Sequence, residues 1–251
     1  MSHNIELKEG AFVVSDAHYS HIRPEFLDFL KAIHAKQLQP TQLILMGDIF
    51  DTLFGNVPYT QEVNSQAVSI LNEISQTIEV IYLEGNHDFN LKKVFPKVKV
   101  FGIKEQPLKV EYGSKKVLLA HGDIESPLFY NIYTSIVRNP FVISVLNILD
   151  SISRHLIINR LDEYLSKKDD CKEFRGFREF IEKRLDNKYQ CNYFIEGHFH
   201  QNKMLELEDF RYINLAAFAC NQRYFIVKSF KDVELLEENI FSIQDDTVRR
   251  Y

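Results

Sequence analysis

Cysteine is scarce in this chain, with three residues in 251: Cys171, Cys191 and Cys220. They are odd in number and fit no metal-ligand spacing, which argues against a thiolate centre and predicts reduced thiols in a cytosolic compartment. An excess of basic charge is also missing. The net charge is −5 and the pI near 6.0, so a sequence-nonspecific nucleic-acid binder, which must displace counterions with a basic surface, is disfavoured. No secretory signal is visible, since residues 1–10 are polar and lack an apolar core. The longest membrane-like run, 140–149, stops at Asp150. It falls far short of the roughly 20 residues a bilayer span needs, so contact with a membrane is expected but not a crossing. There are no internal repeats and no low-complexity segments. Hydrophobic residues at 45% and charged residues at 26% do supply an ordinary globular composition, enough for a full core in a single domain carrying one large insertion.

Along the chain, residues 11–15 read as a short buried strand between Gly10 and the polar Asp16-Ala17-His18. Pro24 suits a first helical turn, and Phe26, Leu27, Leu30, Ile33 and His34 follow at helical spacing. Residues 43–46 form a second buried strand ending in Gly47-Asp48. Val63, Ala67, Ile70, Leu71 and Ile74 mark one further amphipathic helix, and 78–83 a third strand. This alternation predicts an α/β fold with polar groups at the carboxyl ends of its strands. Residues 108–112 and 116–120 look like a hairpin feeding His121. The strand-like stretches 203–207, 211–215, 224–228 and 233–236 suggest a second, antiparallel or mixed sheet, and the polar tail 242–251 is expected to be loose.

Residues 124–189 differ from the rest. They have almost no β signal and a single glycine, Gly176. Phe129, Ile132, Tyr133, Ile136, Val137, Phe141, Val142, Val145, Leu146, Ile148 and Leu149 exceed what one helix face against a sheet requires. The pattern predicts a helical insertion, or lid.

Five strand ends carry polar clusters: Asp16-Ala17-His18, Gly47-Asp48-Ile49-Phe50-Asp51, Gly85-Asn86-His87-Asp88, His121-Gly122-Asp123 and Gly197-His198-Phe199-His200. A turn alone needs none of these groups. Singly, each aspartate reads as readily as a turn or helix cap, and His198 and His200 as ordinary polar side chains. Together, Asp16, His18, Asp48, Asn86, His121, His198 and His200 are oxygen and imidazole donors without a thiolate, a set suited to Mn²⁺, Fe²⁺ or Zn²⁺. Two such ions held by a shared carboxylate activate water and neutralise charge on phosphoryl oxygens.

This order of motifs, D-x-H, GD-x-x-D, GNHD, HGD and GH-x-H, resembles the calcineurin-like metallophosphoesterase superfamily. The resemblance implies an αββα sandwich of two mixed sheets flanked by helices. It implies two divalent ions, expected as Mn²⁺ with iron or zinc as alternatives. Asp16, His18 and His200 would hold one, Asn86, His121 and His198 the other, and Asp48 would bridge them. His87 would be the catalytic imidazole, contacting a substrate oxygen or protonating the leaving group, with Asp88 orienting it. Asp51 and Asp123 are expected to support the site rather than ligate.

Within the superfamily, the spacing Tyr130-x-x-Tyr133-x-x-x-Val137-Arg138-x-Pro140 after His-Gly-Asp is similar to the UDP-2,3-diacylglucosamine hydrolase family of the lipid A pathway. That likeness implies hydrolysis of a nucleotide-linked glycolipid to UMP and 2,3-diacylglucosamine 1-phosphate at the cytoplasmic face of the inner membrane, with peripheral membrane contact and no obligate protein partner. Asn86, His87, Tyr130, Arg138, Arg154 and Arg160 become candidate substrate contacts, with Lys167 and Lys168 beside them. An acyl chain needs an apolar slot, at about 0.8 kcal/mol per buried methylene. The alternative is that the insertion is the core of a small helical hairpin with a solvated basic face. The best-characterised branch of that family has arginine where this chain has His87. A phosphodiesterase for another nucleotide or phosphoester therefore stays open.

Overall fold

The computed structural model describes residues 5–125, 134, 136–168, 170–185, 187–228 and 235–242. One six-stranded sheet has the spatial order β14 (Leu236–Ile240), β13 (Arg223–Val227), β2 (Phe12–Val14), β3 (Gln42–Leu45), β5 (Glu79–Leu83), β7 (Lys99–Phe101). Strands β2, β3, β5 and β7 run parallel, and β13 pairs antiparallel with both β2 and β14. The second six-stranded sheet has the order β1 (Ile5–Glu6), β8 (Leu108–Tyr112), β9 (Lys115–Ala120), β10 (Tyr193–Glu196), β12 (Arg211–Asn214), β11 (Lys203–Glu206). It mixes parallel and antiparallel pairs.

Period-two alternation sorts each strand's side chains between two cores. Val13, Ile44 and Ile81 of the first sheet meet Val110, Val117, Leu119, Ile195 and Ile213 of the second, forming the layer between the sheets. Their neighbours Phe12, Val14, Leu43, Leu45, Val80 and Tyr82 face the other way, onto helices α1 (Glu25–His34) and α3 (Ser65–Ile74). On the far side, Leu118, Phe194 and Tyr212 pack against Phe177, Ile181 and Leu185. The layers are thus helix, sheet, sheet, helix, as expected. Each fully buried Leu, Ile, Val or Phe contributes about 1.5–3 kcal/mol.

Between α1 and α3 the single helix expected over 63–74 is two. Helix α2 (Pro58–Val63) ends at an exposed Val63, and Asn64 breaks the path before α3. Asn64 is held there because its amide donates to the carbonyls of Thr52 and Thr60. Two-residue strands β4 (Leu53–Phe54) and β6 (Asp88–Phe89) pair in parallel beside the strand ends. The final strand lies at Leu236–Ile240 rather than 233–236, and residues 233 and 234 are outside the described set.

The described part of the 124–189 stretch is helical: α4 (Pro140–Ile152), α5 (Leu156–Ser166) and α6 (Phe177–Leu185). Asn139 caps α4 by accepting from the amides of Phe141 and Val142, and Pro140 follows at the first turn. Helix α6 belongs to the outer layer. Helices α4 and α5 lie apart from both sheets and rest on the β4–β6 ribbon through Ile143 and Ile158, packed with Val57 and Phe89. Tyr59 stacks on His155 with ring centroids 3.7 Å apart. No single described helix is long and apolar enough to cross a membrane. The bent pair Phe141–Ile152 and Leu156–Leu165, at 103°, passes by length and composition together.

Two expectations are overturned: β13 and β14, expected in the second sheet, belong to the first, and the cysteines are not all reduced. Cys171 and Cys220 form a disulfide with Cα atoms 5.7 Å apart, and Cys191 is the free thiol. The two cysteines are 49 residues apart in sequence, so only tertiary packing brings them together.

Candidate metal centre

All five polar clusters follow the carboxyl ends of central strands, β2, β3, β5, β9 and β10. The fold gathers them at one edge of the inter-sheet layer. Asp16, His18, Asp48, His198 and His200 have φ between 45° and 61°, in the left-handed region that non-glycine residues seldom occupy. Such conformations cost on the order of 1–3 kcal/mol each and persist only where the surroundings impose them. Glycine is required where these turns touch. A Cβ on Gly85 would overlap the Asp48 carboxylate and amide, and one on Gly197 would overlap Ser15 and Asp16.

Three groups of donors result, and two of them hold the expected ligands; the third, His18, Asp51 and His87, shares His18 with the first. In the first, Asp16, His18 and His200 present one ligand atom each within 4.8 Å of one another. His200 Nε2 lies 3.1 Å from Asp16 Oδ1. Its Nδ1 donates to the carbonyl of Asp170 at 2.5 Å. His18 Nδ1 donates to Asp51 Oδ1 at 3.1 Å, and His18 Nε2 is buried with no hydrogen-bond partner. A buried imidazole nitrogen left bare beside a carboxylate and a second imidazole is what a cation would satisfy.

In the second group, Asp48, His121 and His198 converge in the same way. His121 Nδ1 donates to the Met46 carbonyl at 3.0 Å. Its Nε2 stands 3.3 Å from Asp48 Oδ2, 3.4 Å from Asn86 Oδ1 and 3.2 Å from His198 Nδ1. All seven expected ligands therefore fall in these two adjoining clusters. For His18, His200 and His121 the far nitrogen is fixed by a carboxylate or carbonyl, which sets the tautomer and aims the near one.

The electrostatics fit a cation. Burial opposes charge on Asp16, yet His200 and His121 pull its carboxyl below the usual range. Burial likewise opposes charge on Asp48, and His121 and His87 lower it well below. Burial disfavours a charged His121, but Asp48 holds that imidazole well above its ordinary value. Burial and the neighbouring His121 push His198 down to about 3. Carboxylates held anionic in a buried pocket lined by imidazoles are a set of charges that a cation balances.

His87 is buried at the edge of the cluster, its ring edge-on to His18 at 5.0 Å. Its Nδ1 donates to the Asp51 carbonyl at 3.0 Å, and Nε2 lies 3.9 Å from Asp48 Oδ2. Burial lowers its basicity. Asp88 does not orient it, contrary to the sequence-based assignment. The Asp88 carboxylate accepts from the amides of Asp48, Ile49, Phe50 and Gly85 and from the Tyr82 hydroxyl. It thereby pins the Gly47-Asp48 turn to the Gly85 turn. Burial and the nearby Asp48 raise Asp88 to about 7.

Of the expected substrate contacts, Asn86 and His87 are in the cluster and Arg138 is at its rim. Arg138 donates to the Gly85 carbonyl at 2.8 Å and to Asp123 at 3.1 Å. Arg154, between α4 and α5, and Arg160, on α5, are exposed, with no contact to the cluster among the described residues. Tyr130 lies outside the described residues. Two residues were not anticipated. Arg23 bridges Asp51 and Asp170, and Asp170 orients His200. No local pattern marks Asp170, which meets Arg23 across 147 positions.

Comparison with known proteins agrees with this geometry. Residues 11–202 match calcineurin-like phosphoesterases. The chain belongs to that family, a class of metallophosphoesterases that use divalent ions. It is similar to the UDP-2,3-diacylglucosamine hydrolase of Pseudomonas putida KT2440, 30% identical over 160 residues covering 59% of this chain and 63% of the relative. It also resembles the UDP-2,3-diacylglucosamine hydrolase of Ectopseudomonas mendocina, 28% identical over 208 residues covering 78% and 83%. The chain spans 61% of the length of the UDP-2,3-diacylglucosamine hydrolase of Pseudomonas fluorescens SBW25 and 63% of that of Pseudomonas putida KT2440. Among solved structures, the E. coli phosphoesterase Yfce aligns with a TM-score of 0.45 at 14% identity, covering 87% of this chain and 88% of that one.

Proposed function

We propose that the chain hydrolyses the pyrophosphate of a UDP-linked diacylglucosamine, releasing UMP and 2,3-diacylglucosamine 1-phosphate. The observation that carries the lipid half of this reading is the lid. Phe141, Val145, Ile148, Leu149 and Ile152 recur at helical spacing on α4 and are 77%, 42%, 59%, 51% and 76% exposed. They form an apolar stripe on helices that reach the cluster through the β4–β6 ribbon. An isolated stripe of that size on a soluble protein marks a binding surface. It suits the acyl chains, and it supports peripheral contact with the inner membrane at its cytoplasmic face. The relatives' names support the nucleotide-linked glycolipid.

Asp16, His18 and His200 would hold one divalent ion and Asn86, His121 and His198 the other, with Asp48 shared. When bound, such a pair lowers the pKa of the attacking water and polarises the phosphoryl oxygens. The chain's own groups do the rest. With Nδ1–H donated to the Asp51 carbonyl, His87 presents Nε2 to the cluster. When that atom carries a proton, it donates a hydrogen bond to the phosphate oxygen that departs and delivers the proton to it. Arg138, held by Gly85 and Asp123, places a guanidinium beside the site for the second phosphate. The lid excludes water and orients the acylated sugar.

The test is turnover of detergent-dispersed UDP-2,3-diacylglucosamine against a generic aryl phosphodiester, each with Mn²⁺. Release of UMP from the lipid is expected. Turnover of the aryl ester alone would sink the lipid assignment and favour the second reading, a phosphodiesterase for another nucleotide or phosphoester, to which His87 rather than arginine points.

A further inference from the structure

Arg23 lies in the turn before α1, with a side chain 18% exposed. One of its terminal nitrogens is 3.3 Å from Asp51 Oδ2 and also donates to the Leu165 carbonyl at 3.4 Å. The other is 2.5 Å from Asp170 Oδ2. Its two carboxylate partners lead to the same place. Asp51 Oδ1 fixes His18 through Nδ1, and the backbone oxygen of Asp170 fixes His200 through Nδ1. These are the two imidazoles of the Asp16 cluster. One guanidinium therefore joins the supports of both, and it also grips the last turn of lid helix α5.

The described residues beyond α5 are pinned at a further point. The disulfide ties Cys171 to Cys220, in the short helix α7 (Phe218–Asn221). At that helix, the amides of Phe218 and Ala219 donate to the carbonyls of Ser15 and Asp16, at 2.9 and 3.1 Å. The segment that ends the lid thus reaches the Asp16 cluster from two sides, once through His200 and once through the backbone of Asp16 itself. The other cluster, Asp48, His121 and His198, is reached from the insertion by a different residue, Arg138, which donates to the Gly85 carbonyl and to Asp123.

We propose that Arg23, Leu165, Asp170 and Cys171 form a strap that closes the Asp16/His18/His200 metal site, so that seating of the lid and retention of that cation are coupled. Arg23 is a positioning residue. It touches neither the ion nor the substrate, and acts by holding Asp51 and Asp170 against the far nitrogens of His18 and His200. The planar fork matters, because a lysine ammonium cannot present two parallel donors to two carboxylates in this way. Coupling is reciprocal by thermodynamic necessity: if the strap strengthens metal binding, metal binding must stabilise the strap. The proposal rests on the family's two-ion reading of the site.

Calorimetric titration of Mn²⁺ into the metal-free full chain tests it. Wild type is expected to show two sites. Arg23→Ala should weaken one of them about 10–100-fold, the range for removing a partner that orients a ligand, and leave the other unchanged. Arg23→Lys should recover part of the loss. Cys171→Ser with Cys220→Ser should weaken the same single site. In limited proteolysis, Mn²⁺ should slow cleavage within residues 140–168 of wild type and fail to do so in Arg23→Ala. A folded Arg23→Ala protein with the wild-type isotherm overturns the strap. If that variant does not fold, Asp170→Asn, which keeps the backbone carbonyl, decides. A weakened single site supports the strap and an unchanged isotherm overturns it. A wild-type chain that binds no Mn²⁺ contradicts the two-ion reading itself, a result distinct from loss of the coupling.

Discussion

His87 Nδ1 lies 3.0 Å from the backbone oxygen of Asp51, and a carbonyl, which can only accept, therefore sets the tautomer of the imidazole at the edge of the cluster. Among the described residues the ring makes no hydrogen bond to a carboxylate, although it groups with His18 and Asp51; the Asp48 oxygen is 3.9 Å from Nε2. Loss of the ring and loss of a ligand should then have separable effects. His87→Ala is expected to lower kcat by about 10²–10⁴ with metal content near that of wild type. Asp48→Ala should nearly abolish turnover and lose metal, since Asp48 adjoins both clusters. Elemental analysis beside kinetics checks this, and equal metal loss in both variants would contradict the assigned roles.

Asp88 should behave as a structural residue. Its carboxylate satisfies four buried amides and a buried hydroxyl. Asp88→Ala leaves them unsatisfied, at about 1–3 kcal/mol for each buried donor left without a partner. A loss of several kcal/mol is expected in urea unfolding, together with loss of activity as the Asp48 turn moves. A stable Asp88→Ala protein with reduced kcat alone would instead restore the pairing with His87 that its sequence neighbour suggested.

Gly197 offers a backbone test. A methyl there would collide with Ser15 and with the Asp16 carboxylate. Gly197→Ala should weaken Mn²⁺ binding at the Asp16 cluster, and retention of wild-type affinity in a calorimetric titration would show that the turn can yield.

A stability effect of pH is expected far from the site. Glu79 is partly buried, which alone would raise its pKa, but Lys99, Lys8 and Gln42 hold it at about 2, from an ordinary 4.5. A carboxyl depressed by folding stabilises the fold fully above its unfolded value, and the contribution fades as pH falls from about 4.5 toward 2. Wild type should exceed Glu79→Gln in urea stability at pH 6, and the gap should shrink at pH 3. A gap independent of pH would mean that the contribution of Glu79 is not carried by its charge.

The strand–helix alternation and the polar strand ends were legible because both rest on local signals, while the two-sheet sandwich and the ligand roles came with the family resemblance. Residues 43–46 and 78–83 are apolar on both faces, as strands buried between a helix layer and a second sheet must be. Polar residues that follow such strands have few places to go except the edge where the strands end. The pairings between remote segments were not legible. Asp170 orients His200, and Cys171 meets Cys220, through packing that no spacing encodes. Asp88 was assigned to His87 by adjacency, whereas the backbone turns it toward the Asp48 amides. Strands of two residues, such as Ile5–Glu6 and Leu53–Phe54, are too short to show alternation. The break at Asn64 depends on its hydrogen bonds to Thr52 and Thr60 rather than on apolar periodicity.

The most direct measurement is anomalous diffraction at the manganese edge from crystals grown with Mn²⁺. Two peaks are expected on either side of the Asp48 carboxylate, one among Asp16, His18 and His200 and the other among Asn86, His121 and His198. Peaks elsewhere, or none at a saturating Mn²⁺ concentration, would contradict the two-ion phosphoesterase centre.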